Sequence, residues 1–343
     1  MTDSPATQPH GARRRPTIKD VAAAAGVSRG TVSRVLNGGH WVSPEARVAV
    51  EAAIESTGYS ANHHARSLVT GRSNSIAFLL TEPQHLLFED PNFSILLRGT
   101  AHELARRRMP LLLMVAGTRD EQRNVVDYVA SGHVDGVLLI SSHVGSTVVR
   151  SLHEQGIPTI ACGIPIGFEH TVGYVAADDF EGARTMVRHL RDRGRTRVAT
   201  ITGPMDTPGG RLRLDGYRAE LGDAYDETLV AHGDYTRDGG SSAMAELLER
   251  RPDLDAVFVA SDLMAAGALV TLRGAGRTVP GDVAVGGFDD AGLAAALEPP
   301  LTTMHQPFDR ISAEMVRLLL GVIEGDAPAA VTVPASLVVR AST

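Results

Sequence analysis

Apolar residues recur three and four positions apart at Ile18, Val21, Ala22 and Ala25, and again at Val32, Val35 and Leu36, with Gly26-Val27 between the two sets. That spacing predicts two short helices, each with one buried face, joined by a sharp turn that glycine permits. Ser28 suits the N-cap of the second helix. Ser43-Pro44-Glu45 opens a third helical pattern that Gly58 stops: a cap, a proline at the first position and an acidic first turn. Residues 62–72 carry a helical pattern too short to be stable alone, so they are expected to order only on a partner.

From residue 75 the pattern changes. Apolar runs at 76–80, 111–115, 136–140 and 159–161 alternate with amphipathic stretches at 93–107, 121–131 and 146–155. A second series follows, with runs at 173–176, 197–201, near 229, 256–259 and 283–287 and helical stretches at 180–193, 211–221, 239–250 and 263–273. Repeated strand and helix units of this length predict an α/β fold, two lobes of parallel, doubly wound sheet. A last helix at 307–325 and runs at 331–333 and 337–339 are expected to cross back between the lobes.

Charge separates the two regions. Residues 1–73 hold nine basic and five acidic side chains, a net of +4, while the whole chain carries -7, so the rest holds -11. A basic head on an acidic body fits nucleic-acid binding at one end. The 343 residues are too many for one compact core. Residues 1–16, with three prolines and the Arg13-Arg14-Arg15 run, are expected to form a disordered tail. Without a signal peptide or an apolar span of membrane length, the reading is cytoplasmic, with no membrane partner. Cys162 is the one cysteine and reads as a small buried residue.

The first two helices have the layout of a helix-turn-helix, whose second helix enters the major groove with its N-terminal residues at the base edges. Arg29, Gly30 and Arg34 are then placed against bases, arginine being suited to guanine, and Thr31, Ser33 and Asn37 against phosphates. In the body, ligands are expected in loops after the carboxyl ends of strands, where two facing lobes share a cleft. Thr81 and Glu82, Ser142 and His143, Gly163, Asp178 and Asp179, residues 202–213, Ser261 and Asp262, and Asp289 and Asp290 satisfy that rule. No metal-ligand cluster, phosphate loop or nucleophile-base pair assembles, so neither an enzyme nor a cofactor or metal requirement is expected.

Thr17-Ile-Lys-Asp-Val-Ala, Gly26-Val-Ser, Thr31-Val-Ser-Arg-Val-Leu-Asn, Val42-Ser43, Gly58-Tyr59, Asn62 and the stretch from Ala65 through Leu68 resemble, in order and spacing, the headpiece of the LacI/GalR transcriptional regulators. The resemblance implies a helix-turn-helix domain at 17–61 and a hinge at 62–73, followed by a periplasmic-binding-protein-like effector and dimerisation domain at 74–343. Lobe one would take about 74–163 plus 306–328, and lobe two about 164–305 plus 329–343. Thr17, Ser28, Ser43, Asn62 and Ala65 join the DNA-binding set. Leu68 would wedge into a central minor-groove step, which unstacks and kinks the duplex; an ordinary core role for Leu68 stays open. His63 and His64 read as solvated or phosphate-adjacent.

In the body, Arg211-Leu-Arg-Leu-Asp-Gly-Tyr217 resembles the segment whose second arginine, Arg213, reaches the effector. Ser261 and Asp289 sit where family members place a ligand-facing hydroxyl and a hydroxyl-accepting carboxylate. Tyr235 stands where some sugar-responsive members stack an aromatic. With Thr81 and His143 these make the effector set, and they suit a mono- or oligosaccharide. A structural ion pair for Arg213 and a capping role for Asp289 remain alternatives. The whole reads as a homodimeric repressor released from a palindromic operator by a sugar, dimeric because a heptad tail is lacking. Corepression by a non-sugar ligand is the alternative.

Overall fold

The computed structural model describes residues 16–36, 41–59 and 72–343; residues 1–15, Asn37 and the residues expected to form the hinge, Asn62, Ala65 and Leu68, lie outside them, as do His63 and His64. The chain divides into two compact units, residues 1–73 and 74–343.

In the first unit, helices α1 (Ile18–Ala25), α2 (Arg29–Leu36) and α3 (Pro44–Thr57) bury Val21, Ala22, Val32, Val35, Val50 and Ala53 against one another. Helix α1 stops where Gly26 takes the left-handed conformation, φ 64°, and the Val27 amide reaches back to the Ala22 carbonyl at 3.1 Å. The Ser28 hydroxyl then accepts the Thr31 amide at 3.1 Å to start α2, and Ser43 accepts the Ala46 amide at 3.2 Å to start α3.

The second unit contains two six-stranded sheets. The first sheet is ordered β11-β5-β4-β3-β1-β2, with β1 (Ile76–Leu80), β2 (Leu111–Val115), β3 (Gly136–Ile140), β4 (Thr159–Cys162), β5 (Gly173–Ala177) and β11 (Ala330–Val333), every pair parallel. The second is ordered β12-β10-β9-β8-β6-β7, with β6 (Val198–Thr202), β7 (Val230–His232), β8 (Ala256–Val259), β9 (Ala284–Asp289), β10 (Thr302–His305) and β12 (Ser336–Val338), of which only β12 runs antiparallel. Each sheet has an apolar core on both faces, so its strands are continuous apolar runs.

The lobe boundary expected near residue 164 is corrected. Strand β5 pairs with β4 and β11 in the first sheet, and the chain passes to the second sheet only with Asp178 and the following helix Asp179–Asp192. Strand β11, expected in lobe two, likewise closes the first sheet. The misreading has a physical cause: β4 and β5 are joined by a loop without a helix, so no amphipathic stretch announces that β5 continues the same sheet. The chain crosses between lobes again before the helix Phe308–Glu324, which packs on the first sheet, and between β11 and β12.

Candidate DNA-reading surface and effector cleft

On the headpiece unit Ser28, Arg29, Gly30 and Arg34 are exposed and Thr31 and Ser33 are half-buried, while Val32 and Val35 point inward. The expected reading residues therefore share the open side of α2. A methyl added at Gly30 would meet nothing closer than 3.6 Å, and that neighbour is the Ser28 hydroxyl, so packing does not require glycine there. Thr17 donates its amide and its hydroxyl to the Asp20 carboxylate, both at 2.7 Å, which ties it to the start of α1.

Between the two sheets of the second unit lies a cleft of about 200 Å³, lined from both lobes. His143, Arg213, Tyr235, Ser261 and Asp289 all reach it. Thr81 does not: it is buried beneath the cleft wall and donates to the carbonyls of Ile140 and Ser141, so the side chain after it, Glu82, takes the lining position.

Arg213 is 7% exposed and heavily engaged. Its Nε donates to Asp179 Oδ1 at 2.8 Å, Nη2 approaches the same oxygen at 2.8 Å, Nη1 donates to the Ala260 carbonyl, and Asp289 Oδ1 lies 3.9 Å away. The guanidinium carbon sits 3.7 Å from the centre of the Phe288 ring, a cation-π stack that fixes its plane. The ion pair held open as an alternative is thus present, with the arginine still facing the cleft.

Asp289 accepts Gln306 Nε2 at 2.7 Å, and burial raises its pKa. Its backbone has φ 126° and that of Asp290 φ 56°, conformations that cost energy for residues with side chains. The turn is held by Asp262, which accepts the Asp290 amide at 2.7 Å and the Thr303 hydroxyl at 2.6 Å, and by Arg340, which donates to Asp290 at 2.6 Å. Ser141 and Tyr235 also have positive φ, 59° and 65°, so three of the strained backbone positions line the cleft. Tyr235 lies against the backbone of Gly203, where a Cβ would come within 2.2 Å of its ring. Ser261 caps the helix Asp262–Gly274 by accepting the Met264 amide at 3.2 Å.

Several lining residues were not placed in the effector set by sequence. Asp90 caps the helix Pro91–Arg106 through the Asn92 amide at 2.9 Å; burial, then the charge of Asp289, push its carboxyl up to about 7. Among the described residues, two buried side-chain polar atoms lack a hydrogen-bond partner, Asn92 Oδ1 and Ser142 Oγ, and both residues line the cleft. Natural proteins rarely leave buried polar atoms unpaired, which sets these two apart from the other residues lining the cleft. Phe93, Phe308 and Gln306 also face the space, and burial pushes the Cys162 thiol at its wall up to about 12.

The chain matches the lacI family of bacterial regulatory proteins over residues 17–62 and a periplasmic binding protein-like domain over 187–343. It is 45% identical over 336 residues to the HTH-type transcriptional regulator CelR of Thermobifida fusca, covering 96% of this chain and 99% of that protein. The chain belongs to the lacI family. It is a ligand-responsive, DNA-binding transcriptional regulator. The ribose operon repressor of Escherichia coli is 34% identical over 314 residues, 89% of this chain and 92% of that one. Among solved structures, a CelR-cellobiose complex superposes with TM-score 0.77 at 43% identity over 96% of this chain and 100% of its own. A lac repressor dimer bound to operator and the anti-inducer ONPF gives TM-score 0.85 at 25% identity over 96% and 99%. These relatives are regulators, and no helix among the described residues of this lacI-family chain is long and apolar enough to cross a membrane.

Proposed function

We propose that this lacI-family regulator is a homodimeric repressor, acting in the cytoplasm, that leaves a palindromic operator when its cleft takes up an uncharged sugar, with a β-linked glucose disaccharide such as cellobiose the first candidate. The observation that carries the reading is the cleft's own chemistry. Asp289, Asn92, Ser142, Ser261 and Gln306 offer acceptors and donors for hydroxyls, and Tyr235, Phe93 and Phe308 offer aromatic faces for the apolar side of a sugar ring. Similarity to a regulator whose solved complex contains cellobiose narrows the choice.

Charge narrows it further. Glu82, Asp90, Asp179, Asp234 and Asp289 line the cleft against Arg213 and His143, and both of these are already paired with carboxylates. No unpaired cation remains there, among the described residues, to receive a phosphate or carboxylate ligand, so phosphorylated sugars and uronates are disfavoured.

In this reading Arg29, Gly30 and Arg34 contact bases, and Thr17, Ser28, Thr31, Ser33, Asn37 and Ser43 set the register on phosphates. Asn62, Ala65 and Leu68 form the minor-groove hinge. The dimer draws support from edge strand β2, whose apolar residues 111–115 are half-buried or exposed while those of its neighbour β1 are fully buried, as expected of an edge that a second copy covers. Effector binding would shift the lobes and separate the hinges; by linkage, operator and effector then oppose each other. The relatives are transcriptional regulators and the cleft is fused to a DNA reader, so the chain is read as a receptor and not an enzyme.

Titration calorimetry with cellobiose, ribose and glucose 6-phosphate tests the ligand class. Saturable binding of cellobiose alone is expected; binding of glucose 6-phosphate without cellobiose would overturn it.

A further inference from the structure

His143, expected to touch the effector, lines the cleft, and both nitrogens of its ring are also bonded to carboxylates. Nε2 lies 2.8 Å from Glu82 Oε1, on the loop after β1, and Nδ1 lies 2.8 Å from Asp206 Oδ2, on the loop after β6. Glu82 and His143 extend from the first sheet and Asp206 from the second, so the imidazole bridges the two lobes across the cleft. Next to it, the Val144 amide donates to the Asp206 carbonyl at 2.8 Å, a main-chain bond across the same gap. The Ser141 hydroxyl donates to Glu82 Oε1 and holds that carboxylate toward the ring.

We propose that His143 is a positioning residue, the proton-dependent clasp that ties the lobes together over the effector through Asp206. An imidazole flanked by two carboxylates satisfies both only when both ring nitrogens carry protons, because each carboxylate can only accept. Deprotonation leaves one nitrogen lone pair facing a carboxylate, and the contact turns from attraction to repulsion. Withdrawing Asp206 as the lobes part removes one of the two anions and lowers the ring's proton affinity. Closure therefore takes up protons.

The charged groups on the surrounding elements are Glu82, His85 and Asp90 on the first lobe, and Asp206 and Arg211 on the second, with Asp179, Arg213, Asp234 and Asp289 also in or beside the cleft. Of these, Glu82 and Asp206 are the two bonded to the ring, and Arg211 turns its Nε to the Met205 carbonyl at 2.7 Å. The hydrogen bond to Glu82, opposed by burial and reinforced by Asp206, raises His143 to about 9. Glu82 shares a lobe with the ring and keeps its part of the rise when the lobes separate, so only the part due to Asp206 is coupled to closure: the clasp is held while the ring is protonated and is lost as pH rises through about 9.

The proposal rests on the lobes moving with effector, not on which sugar binds, and two readouts keep these apart. The first is hydrogen exchange of the full-length protein, without ligand, in the segment around Val144 from pH 6.5 to 9.5, corrected for the intrinsic pH dependence of exchange. Wild type is expected to lose about tenfold protection over that range, whereas Asp206→Asn and His143→Gln start at the lower protection and stay flat. Asp206 is more than half exposed, so its replacement leaves the fold intact. Equal protection and equal pH profiles in wild type and Asp206→Asn would overturn the clasp. The second is cellobiose affinity from pH 8 to 9.5, above the range in which the cleft residue Asp90 titrates, expected to weaken several-fold in wild type and to be flat in His143→Gln. A wild-type protein that fails to bind cellobiose strikes the sugar reading, and the exchange profiles still decide the clasp.

Discussion

Asn92 and Ser142 each leave an oxygen buried in the cleft without a partner, an arrangement that costs stability until a ligand supplies the missing bonds. Replacing Ser142 by alanine is therefore expected to leave the ligand-free protein as stable as wild type or slightly more so, while weakening effector binding by about 1–3 kcal/mol, whereas Asn92 also bonds the Asp289 carboxylate through its side chain and its replacement should cost stability as well. Thermal midpoints of Ser142→Ala with and without sugar would show the two effects moving in opposite directions; a loss of ligand-free stability with unchanged affinity would make Ser142 structural. Asp90 gives a second prediction at this scale. Its carboxyl titrates near 7 in the folded protein, raised by burial and by Asp289, against 3.8 ordinarily. An acid raised in this way favours the folded state most below its ordinary value and loses that contribution as pH rises through about 7. Stability measured by denaturant should thus fall from pH 4 to 7, and Asp90→Asn, which keeps the helix cap, should flatten that part of the profile. A parallel slope in the variant would assign the decline to other groups.

These residues also mark the limit of what the chain alone discloses. Ser261 and Asp289 were legible because they lie at or just after apolar runs, and ligand sites lie beyond strand ends, whereas Arg213 and Tyr235 were singled out by their resemblance to family segments. Thr81 followed the same rule and failed by one position, since the alternation of side chains along an extended backbone sent it inward and Glu82 outward. Asn92 sits inside a helix start after a proline, where a cap is the ordinary reading, and only its unpaired oxygen distinguishes it. The partners of His143 come from segments some 60 residues away on either side, a pairing no local pattern contains.

At the level of elements, helix α2 carries the DNA-reading expectation. Gly30 is its least helix-favouring residue, and no described residue of the headpiece prevents a side chain there. Gly30→Ala should stabilise the headpiece by about 1 kcal/mol. If the glycine exists to let a base edge approach, the same variant should bind operator more weakly, which fluorescence anisotropy with a labelled duplex would measure. Tighter or unchanged binding would remove Gly30 from the interface. Helices and strands were readable in type because their apolar periods are strong. The sheet that β5 joins was not, because membership in a sheet depends on a helix-free connection that leaves no periodic trace.

For the whole molecule, the account joins a small all-helical reader to a two-lobed receptor whose cleft is acidic, aromatic-lined and clasped. Family membership rests on similarity along nearly the full chain, the repressor reading on relatives such as the ribose operon repressor, and the proposed ligand chemistry on the cleft. The most direct measurement is release of operator: full-length protein bound to a palindromic duplex selected from random sequence, titrated with cellobiose at pH 7 and followed by anisotropy. The account predicts a saturable loss of DNA binding with cellobiose and none with glucose 6-phosphate. Tighter DNA binding with cellobiose, or release by the phosphorylated sugar alone, would contradict it.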